Sequence, residues 1–487
     1  MKFLPNVETL KSLSKDYDIA PISCEILSDF STPINTLRKL KNISKHCYIL
    51  ESVTNNEKWG RYTFLGYEPK LELNCVDGII KVNGEKISEN NPNKVIREIL
   101  SKNKSPVFDY LPSFTGGFVG YFAYDYIKYN EIDVDFSTLE DNDEFKDIDI
   151  MLFDKVIVYD NLYQKIILIA NIKLDDIKSN YENAKKELKN IANIIKSDKN
   201  QDIENGELLS EFSPYFDENQ FVDMVNKAKD YIKKGDIKQI VLSNLLQAKF
   251  KGSLLNTYRM LRSINPSPYM FYFSGTDVEL AGASPETLLK FENKTLHTFP
   301  LAGTRKRGEN KNEDERLEYE LLHDEKELDE HNMLIDLGIE DLNKVCKKDT
   351  VKVKNIREIV KYSHVMHISS CVYGEIDEKY DALDALLAIL PAGTLIGAPK
   401  IRACEIINEL EKTKRGVYGG AIGYISFTQN MDTCIAIRLA YKKNGKVFVR
   451  SGAGVIDKSI PKNEFNECIN KAKAVVTAIN LANSLNS

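Results

Sequence analysis

The chain has 487 residues, is 43% hydrophobic and 28% charged, and carries a net charge of -6. This is the composition of a globular protein long enough for two lobes or one elaborate domain. Scattered lysines on an acidic chain argue against nucleic acid as the main partner and give no broad field for anionic membranes, although a local basic pocket for a small anion stays open. The N-terminal MKFLPNVETLKSLSKDYD lacks the apolar centre of a signal peptide, and no run approaches the ~20 apolar residues of a spanning helix. A cytoplasmic protein without membrane contact is expected. The eight cysteines, at 24, 47, 75, 346, 371, 404, 434 and 468, form no C-x-x-C pair and read as free thiols.

In chain order, residues 48–82 alternate short apolar runs with turn residues, as strands do. FTGGFVGYFAYDYI (114–127) follows, and DIMLFDKVIVYD with QKIILIANI predicts a hairpin over 149–172. YENAKKELKNIANIIKSDKNQDIENGE begins as an amphipathic helix and ends polar, so a boundary is expected near residue 200, dividing the chain into 1–200 and 201–487. NQFVDMVNKAKDYIKKG is helical, with apolar residues at 221, 225, 228 and 232. IKQIVLSNLLQAKF reads as a strand, LLNTYRMLRSI as a helix, YMFYFSG and LLKFE as strands, and PLAGTRKRG as a loop. NEDERLEYELLHDEKELDEHNMLIDLGIEDL reads as one long helix. Without a regular βαβ period, the class is α+β, with antiparallel sheets flanked by helices.

Two stretches carry paired carboxylates at helical spacing: Glu327 and Glu330 in ELDEHNML, and Glu464 and Glu467 in EFNECINK. Each pair shares a helix face, which is either a solvated surface or a supply of hard oxygen ligands for Mg²⁺. Lys471 lies one turn beyond Glu467; it forms either a helix salt bridge or an anion contact beside the metal. The turn RSGAGV adds backbone N–H donors nearby. PLAGTRKRG and LPAGTLIGAPK lack the Walker order, so they offer close backbone approach and a Thr hydroxyl rather than a nucleotide site. In SHVMHISS the strand alternation puts His364 and His367 on opposite faces, so at most one looks into a given site.

GASPETLLK, FPLAGTRKRGE, LDEHNMLIDL, SHVMH, PAGTLIGAPKIRACEII, YGGAIGY, IRLAY, SGAG and EFNECINKA, in this order, resemble the chorismate-utilising enzymes over residues 220–476. The resemblance implies a large assembly of two antiparallel sheets with helices outside, and Mg²⁺-bound chorismate as substrate. Gln239 stands where relatives that add water carry a base lysine. Ala302 stands where 4-amino-4-deoxychorismate synthases carry lysine. Both positions resemble the anthranilate synthase large subunits, which aminate C2 and eliminate pyruvate. YILESVTNNEKWGRYTFLGYEP and NPSPYMFYF resemble that group's tryptophan-binding elements, implying an inhibitor site of Glu51, Ser52, Pro266, Tyr269 and Met270. There Glu51 would face the ligand's ammonium.

By the same resemblance, Glu330 and Glu467 bind Mg²⁺, with Glu327 and Glu464 beside them. Lys471 and the Gly452–Gly454 turn hold the ring carboxylate, Tyr418 and Arg438 the enolpyruvyl carboxylate, and Ala302, Gly303, Thr304 and Thr394 the ring. Glu286 is the candidate proton donor, and His367 and Thr394 stand near the ring, where His367 assists the elimination. No cysteine has the setting of a glutaminase nucleophile, so ammonia is expected from a separate glutamine amidotransferase subunit. Two rivals remain: 4-amino-4-deoxychorismate synthase component I, and a tryptophan sensor without catalysis. The chain departs from the family pattern at Ile339-Glu340 and at Lys458.

Overall fold

The computed structural model describes residues 1–52, 60–130, 134–197, 204–362 and 365–484. Among these, one sheet has 14 strands and a second has 12, and every pairing between strands is antiparallel. The expected α+β arrangement of two antiparallel sheets with helices outside is what the chain forms.

Side-chain alternation builds the layers. In the strand Cys47–Glu51, Cys47 and Ile49 point to a helix-covered core while Tyr48 points between the sheets. Phe271 and Phe273 likewise face inward, and Met270 and Tyr272 outward. The inter-sheet core is rich in aromatic residues, with Tyr48, Phe114, Tyr121, Phe153 and Phe448 among its members. The helices Pro33–Ile43, Ile177–Lys196, Leu255–Ile264 and Pro461–Ser484 supply side chains to the outer core of the larger sheet. Pro92–Ser101, Glu325–Asn343 and Ala382–Ile389 do the same for the smaller sheet. The order is helices, sheet, sheet, helices.

Strands from before and after residue 200 hydrogen-bond to each other in both sheets. Leu50 pairs with Phe271 and Glu51 with Met270 in the larger sheet, and Gly120 pairs with Gly423 in the smaller one. Residues from the two halves are therefore held in fixed register.

Two local expectations need correction. The single long helix over 312–342 is two helices, Lys311–Leu322 and Glu325–Asn343, because Asp324 caps the second by accepting from the Glu327 N–H at 3.3 Å. The loop PLAGTRKRG contains a strand, Leu301–Lys306, which pairs with Val365–Glu375 and bulges between Ala302 and Thr304. Gly303 sits in the bulge at φ +64°, a backbone region that a side chain would strain. A Cβ there would also lie 2.8 Å from Leu321 Cδ1 and 3.2 Å from Glu327 Oε2.

Candidate active site and a second cavity

Lys471 is the centre of the predicted constellation. Its ammonium bonds Glu467 Oε1 at 2.6 Å and the Gly452 carbonyl at 3.0 Å. Its charge also reaches Glu330, Glu464, Glu286 and His367. Of the two alternatives posed by the sequence for Lys471, the helix salt bridge to Glu467 is present.

Glu330 is raised above the ordinary carboxylate range by burial and by Glu327, while Lys326, Lys471 and the Gln239 amide oppose the shift. Glu464 is raised by burial and by Glu467, with the Ser459 hydroxyl opposing. Two mutually repelling carboxylate pairs, on two helices, thus lie in the field of the same two ammoniums, Lys326 and Lys471. Glu327 has a further partner, Arg305 Nη1 at 3.5 Å. Among the described residues, no three His, Cys, Asp or Glu side chains converge to hold a metal ion. A closed protein cage is therefore absent here. Mg²⁺ asks for less: one or two carboxylates, with water and substrate oxygens completing the shell. The hard donors and the raised Glu330 and Glu464, whose ionised forms a cation would favour, fit that kind of open site.

Glu286 lies between the sheet and the loop after Ile389. It is buried, and burial pushes its carboxyl up to about 8, against the Thr394 hydroxyl, the Leu301 N–H and Lys471, which pull it down. Thr394 Oγ1 is itself buried without a partner of good hydrogen-bond geometry. Both residues line a largely apolar cavity with Leu334, Leu337 and Ile435. Glu286 is therefore a protonated acid near neutrality.

His367 is fixed by the bulge. Its Nδ1 is 2.9 Å from the Gly303 carbonyl and 3.1 Å from Thr304 Oγ1. A carbonyl can only accept, so Nδ1 carries the proton and Nε2 is the open lone pair. Burial, with Arg438 and Lys471, lowers its pKa and keeps the ring neutral. Ala302 is buried and pairs with Ile368, one residue along. His364 lies outside the described residues.

Tyr418 and Arg438 close the other side. A Cβ at Gly452 would lie 2.7 Å from the Tyr418 hydroxyl, so glycine permits that approach. Burial holds the Tyr418 phenol well above its usual range, leaving it a donor. Arg438 has φ +55° and donates through Nη1 to the Lys471 carbonyl at 2.6 Å. A non-glycine residue in this region costs about 1–3 kcal/mol, and such strain concentrates at functional sites. Gly454 pairs with Val241, and a Cβ on it would lie 3.3 Å from Gln239 Nε2. Gln239 thus stands at the site as a neutral amide. Glu340 and Lys458, the two charged departures, are exposed.

A second cavity is lined by Glu51, Ser52, Tyr269 and Met270, together with Tyr62, Phe64, Pro268, Tyr424 and Asp432. Pro268 is among its lining residues and Pro266 is not. Glu51 also differs from expectation: its carboxylate already takes Arg262 Nε at 2.5 Å and Nη2 at 3.1 Å, and accepts from the Tyr258 hydroxyl. The other acid of the cavity, Asp432, is half-buried, is raised by desolvation, and accepts from the Tyr269 hydroxyl at 2.7 Å. Sequence reasoning missed it because MDTCI reads only as a strand.

Tyr362 was missed too. Its hydroxyl donates to the Pro285 carbonyl at 3.3 Å, its ring packs edge-on to His367 with centroids 5.7 Å apart, and Arg307 Nη1 holds its carbonyl at 2.7 Å. It joins the segment of Glu286 to His367.

A family model described as chorismate binding enzyme matches residues 45–477. Anthranilate synthase component 1 of Acetivibrio thermocellus is 43% identical, covering 99% of this chain and 100% of that one. Its counterpart in Aquifex aeolicus is 42% identical over 98% of each. Among solved structures, anthranilate synthase component I from Streptococcus pneumoniae TIGR4 superposes with a TM-score of 0.76 at 34% identity, covering 92% of this chain and 98% of that one.

Proposed function

The chain belongs to the chorismate binding enzymes and is a chorismate-utilising lyase, and from that premise we propose that it aminates chorismate at C2 with ammonia and eliminates pyruvate to give anthranilate. The observation that carries this reading is the pairing of a buried, protonated Glu286 with a neutral His367 whose Nε2 is open, both in the field of Lys471. One step needs an acid and the next a base, and the two environments push these groups to opposite roles.

Glu330 and Glu467 are the carboxylates that would hold Mg²⁺, which supplies charge neutralisation and orientation to the ring carboxylate. Lys471 and the backbone of Gly452–Gly454, which lies in the strand Lys446–Val455 and not in the turn its glycines suggest, hold that carboxylate on its other side. The Arg438 fork and the Tyr418 hydroxyl receive the enolpyruvyl carboxylate. Ala302, Gly303, Thr304 and Thr394 shape the ring seat. Ammonia attacks C2 as a free amine and needs no base, in keeping with Gln239. Glu286 protonates the departing C4 hydroxyl. His367 Nε2 takes the C2 proton as pyruvate leaves and the ring becomes aromatic.

The partner is a separate glutamine amidotransferase subunit, and the setting is the cytoplasm; no helix among the described residues is long and apolar enough to cross a membrane. The part before residue 200 is the regulatory one: it brings Glu51 and Ser52 to the second cavity, where L-tryptophan binds and inhibits. Glu51 there orders the wall through Arg262 and Tyr258, and Asp432 with Tyr269 supplies the polar end.

The test is formation of fluorescent anthranilate by the isolated chain with Mg²⁺, chorismate and ammonium, repeated with tryptophan. Turnover that tryptophan suppresses is expected. Chorismate consumption that gives 4-amino-4-deoxychorismate would move the chain to that enzyme, and tryptophan binding without any turnover would make it a sensor. In the same assay Pro268→Ala should weaken tryptophan inhibition about tenfold by removing an apolar wall, while Pro266→Ala should not. Equal sensitivity of both variants would remove Pro268 from the site.

A further inference from the structure

Beneath the ring seat lies a buried charge cluster that none of the steps above uses. Arg415 has a side chain only 1% exposed, and each of its three nitrogens is engaged, across three separate segments. Nη1 donates to the Leu395 carbonyl at 2.7 Å, and Nη2 to the Val241 carbonyl at 2.7 Å. Nε and Nη2 hold Glu411 at 3.0 and 2.6 Å. The guanidinium also lies 4.8 Å from the ring of Tyr124 and 5.9 Å from that of Tyr418. Glu411 in turn accepts from the Ser243 N–H at 2.7 Å and stands 3.8 Å from Arg450.

The carbonyls it holds are next to the substrate seat. Leu395 follows Thr394, the hydroxyl facing Glu286. Val241 pairs with Gly454, and its own N–H donates to the Ile396 carbonyl at 2.7 Å. Tyr418 is three residues on from Arg415, with its hydroxyl over Gly452. One planar fork thus reaches the loop on the acid's side, the strand paired with Gly452–Gly454, and the ring of a carboxylate donor. A buried cation shared between a carboxylate and backbone carbonyls of two further segments fixes their spacing, because each lost contact would leave a polar group unpaired in the interior.

We propose that Arg415 is a positioning residue: it sets the separation between the Thr394 loop and the Gly454 strand, and through it the fit of the two-carboxylate substrate. The proposal rests on the chorismate reading only for its kinetic arm.

Two variants test it. Arg415→Lys keeps the charge and removes the fork. Arg415→Met with Glu411→Gln removes the ion pair, leaves the net charge of the cluster unchanged, and keeps an acceptor for Ser243, since replacing both members of a buried pair is far milder than removing one. In both, the KM for chorismate should rise about tenfold or more while the KM for ammonium stays within about twofold, because ammonia touches neither segment. Hydrogen exchange at the Leu395 and Ile396 amides should accelerate at least tenfold over the wild type in Arg415→Lys. A variant that was merely less folded would lose apparent kcat at constant KM. Unchanged exchange at 395–396 in Arg415→Lys, or an unchanged KM for chorismate in either folded variant, would overturn the positioning role. Should the double variant not fold, Arg415→Lys decides alone. A wild type that did not turn over chorismate would count against the functional reading, and the exchange measurement would still judge the clamp.

Discussion

Replacing Glu286 by Gln is expected to cut kcat by about 10²–10⁴-fold while leaving the KM for chorismate nearly unchanged, the range for loss of a positioned general acid. Gln has the same shape and still meets the Thr394 hydroxyl and the Leu301 N–H, but it has no proton to give to the departing hydroxyl. The pH behaviour separates this from a packing defect. With the Glu286 pKa pushed up to about 8, wild-type turnover, corrected for the fraction of free ammonia, should fall as pH rises through 8. The residual activity of Glu286→Gln should lack that limb. Stability follows the same group. A carboxyl raised on folding contributes fully below the ordinary carboxylate range, and its contribution is lost as pH rises toward 8. Glu286→Gln should therefore gain on the wild type in thermal midpoint between pH 5 and pH 8. A variant with wild-type kcat, or an unaltered alkaline limb, would remove Glu286 from the chemistry.

Glu330→Gln is expected to lower kcat/KM by about 10²–10³-fold, because it takes one hard oxygen from a site with few of them and several kcal/mol of charge stabilisation are at stake. The metal-free protein should not suffer. Glu330 is already raised by burial and by Glu327, so its charge works against the fold and Gln resembles the protonated form. The readout besides activity is thermal: Mg²⁺ with chorismate should raise the wild-type midpoint by mass action and should fail to raise that of the variant. Tryptophan binding should be spared. Equal turnover with an equal Mg²⁺-dependent shift would return Glu330 to the solvated face of a charged helix.

Much of this was legible in the chain, for physical reasons that differ by element. Short apolar runs in YILES, IKQIVLSN and YMFYF report strands covered on both faces, and the structure places them in one sheet. The helix over 218–234 announces itself by apolar spacing and ends at Gly235. LAGTRK reads as a loop because a glycine and a run of cations look like a turn. Its strand character depends on Val365–Glu375, some sixty residues away, which no local pattern reports. The break at Asp324 was legible, since Asp324 followed by Glu327 has the D-x-x-E form of a helix start, but the acidic run around it hid the signal.

The site residues divide in the same way. Glu327 with Glu330, and Glu464 with Glu467, carry their own spacing, so two helices could be named before they were seen together. Arg415 carries none: Leu395, Val241 and Glu411 become its partners only through the fold. Pro268 and Pro266 flank one serine in NPSPY, and sequence alone does not say which of them faces the cavity. The left-handed backbone at Arg438 is likewise a property of the folded chain.

The most direct measurement is turnover with ¹⁵N-labelled ammonium, Mg²⁺ and chorismate, followed by NMR of the products. The account predicts one labelled amino group on the ring carbon beside the carboxylate, in an aromatic product, with one pyruvate released for each. Label at C4 with the enolpyruvyl ether retained, or unlabelled isochorismate in place of an amine, would contradict it.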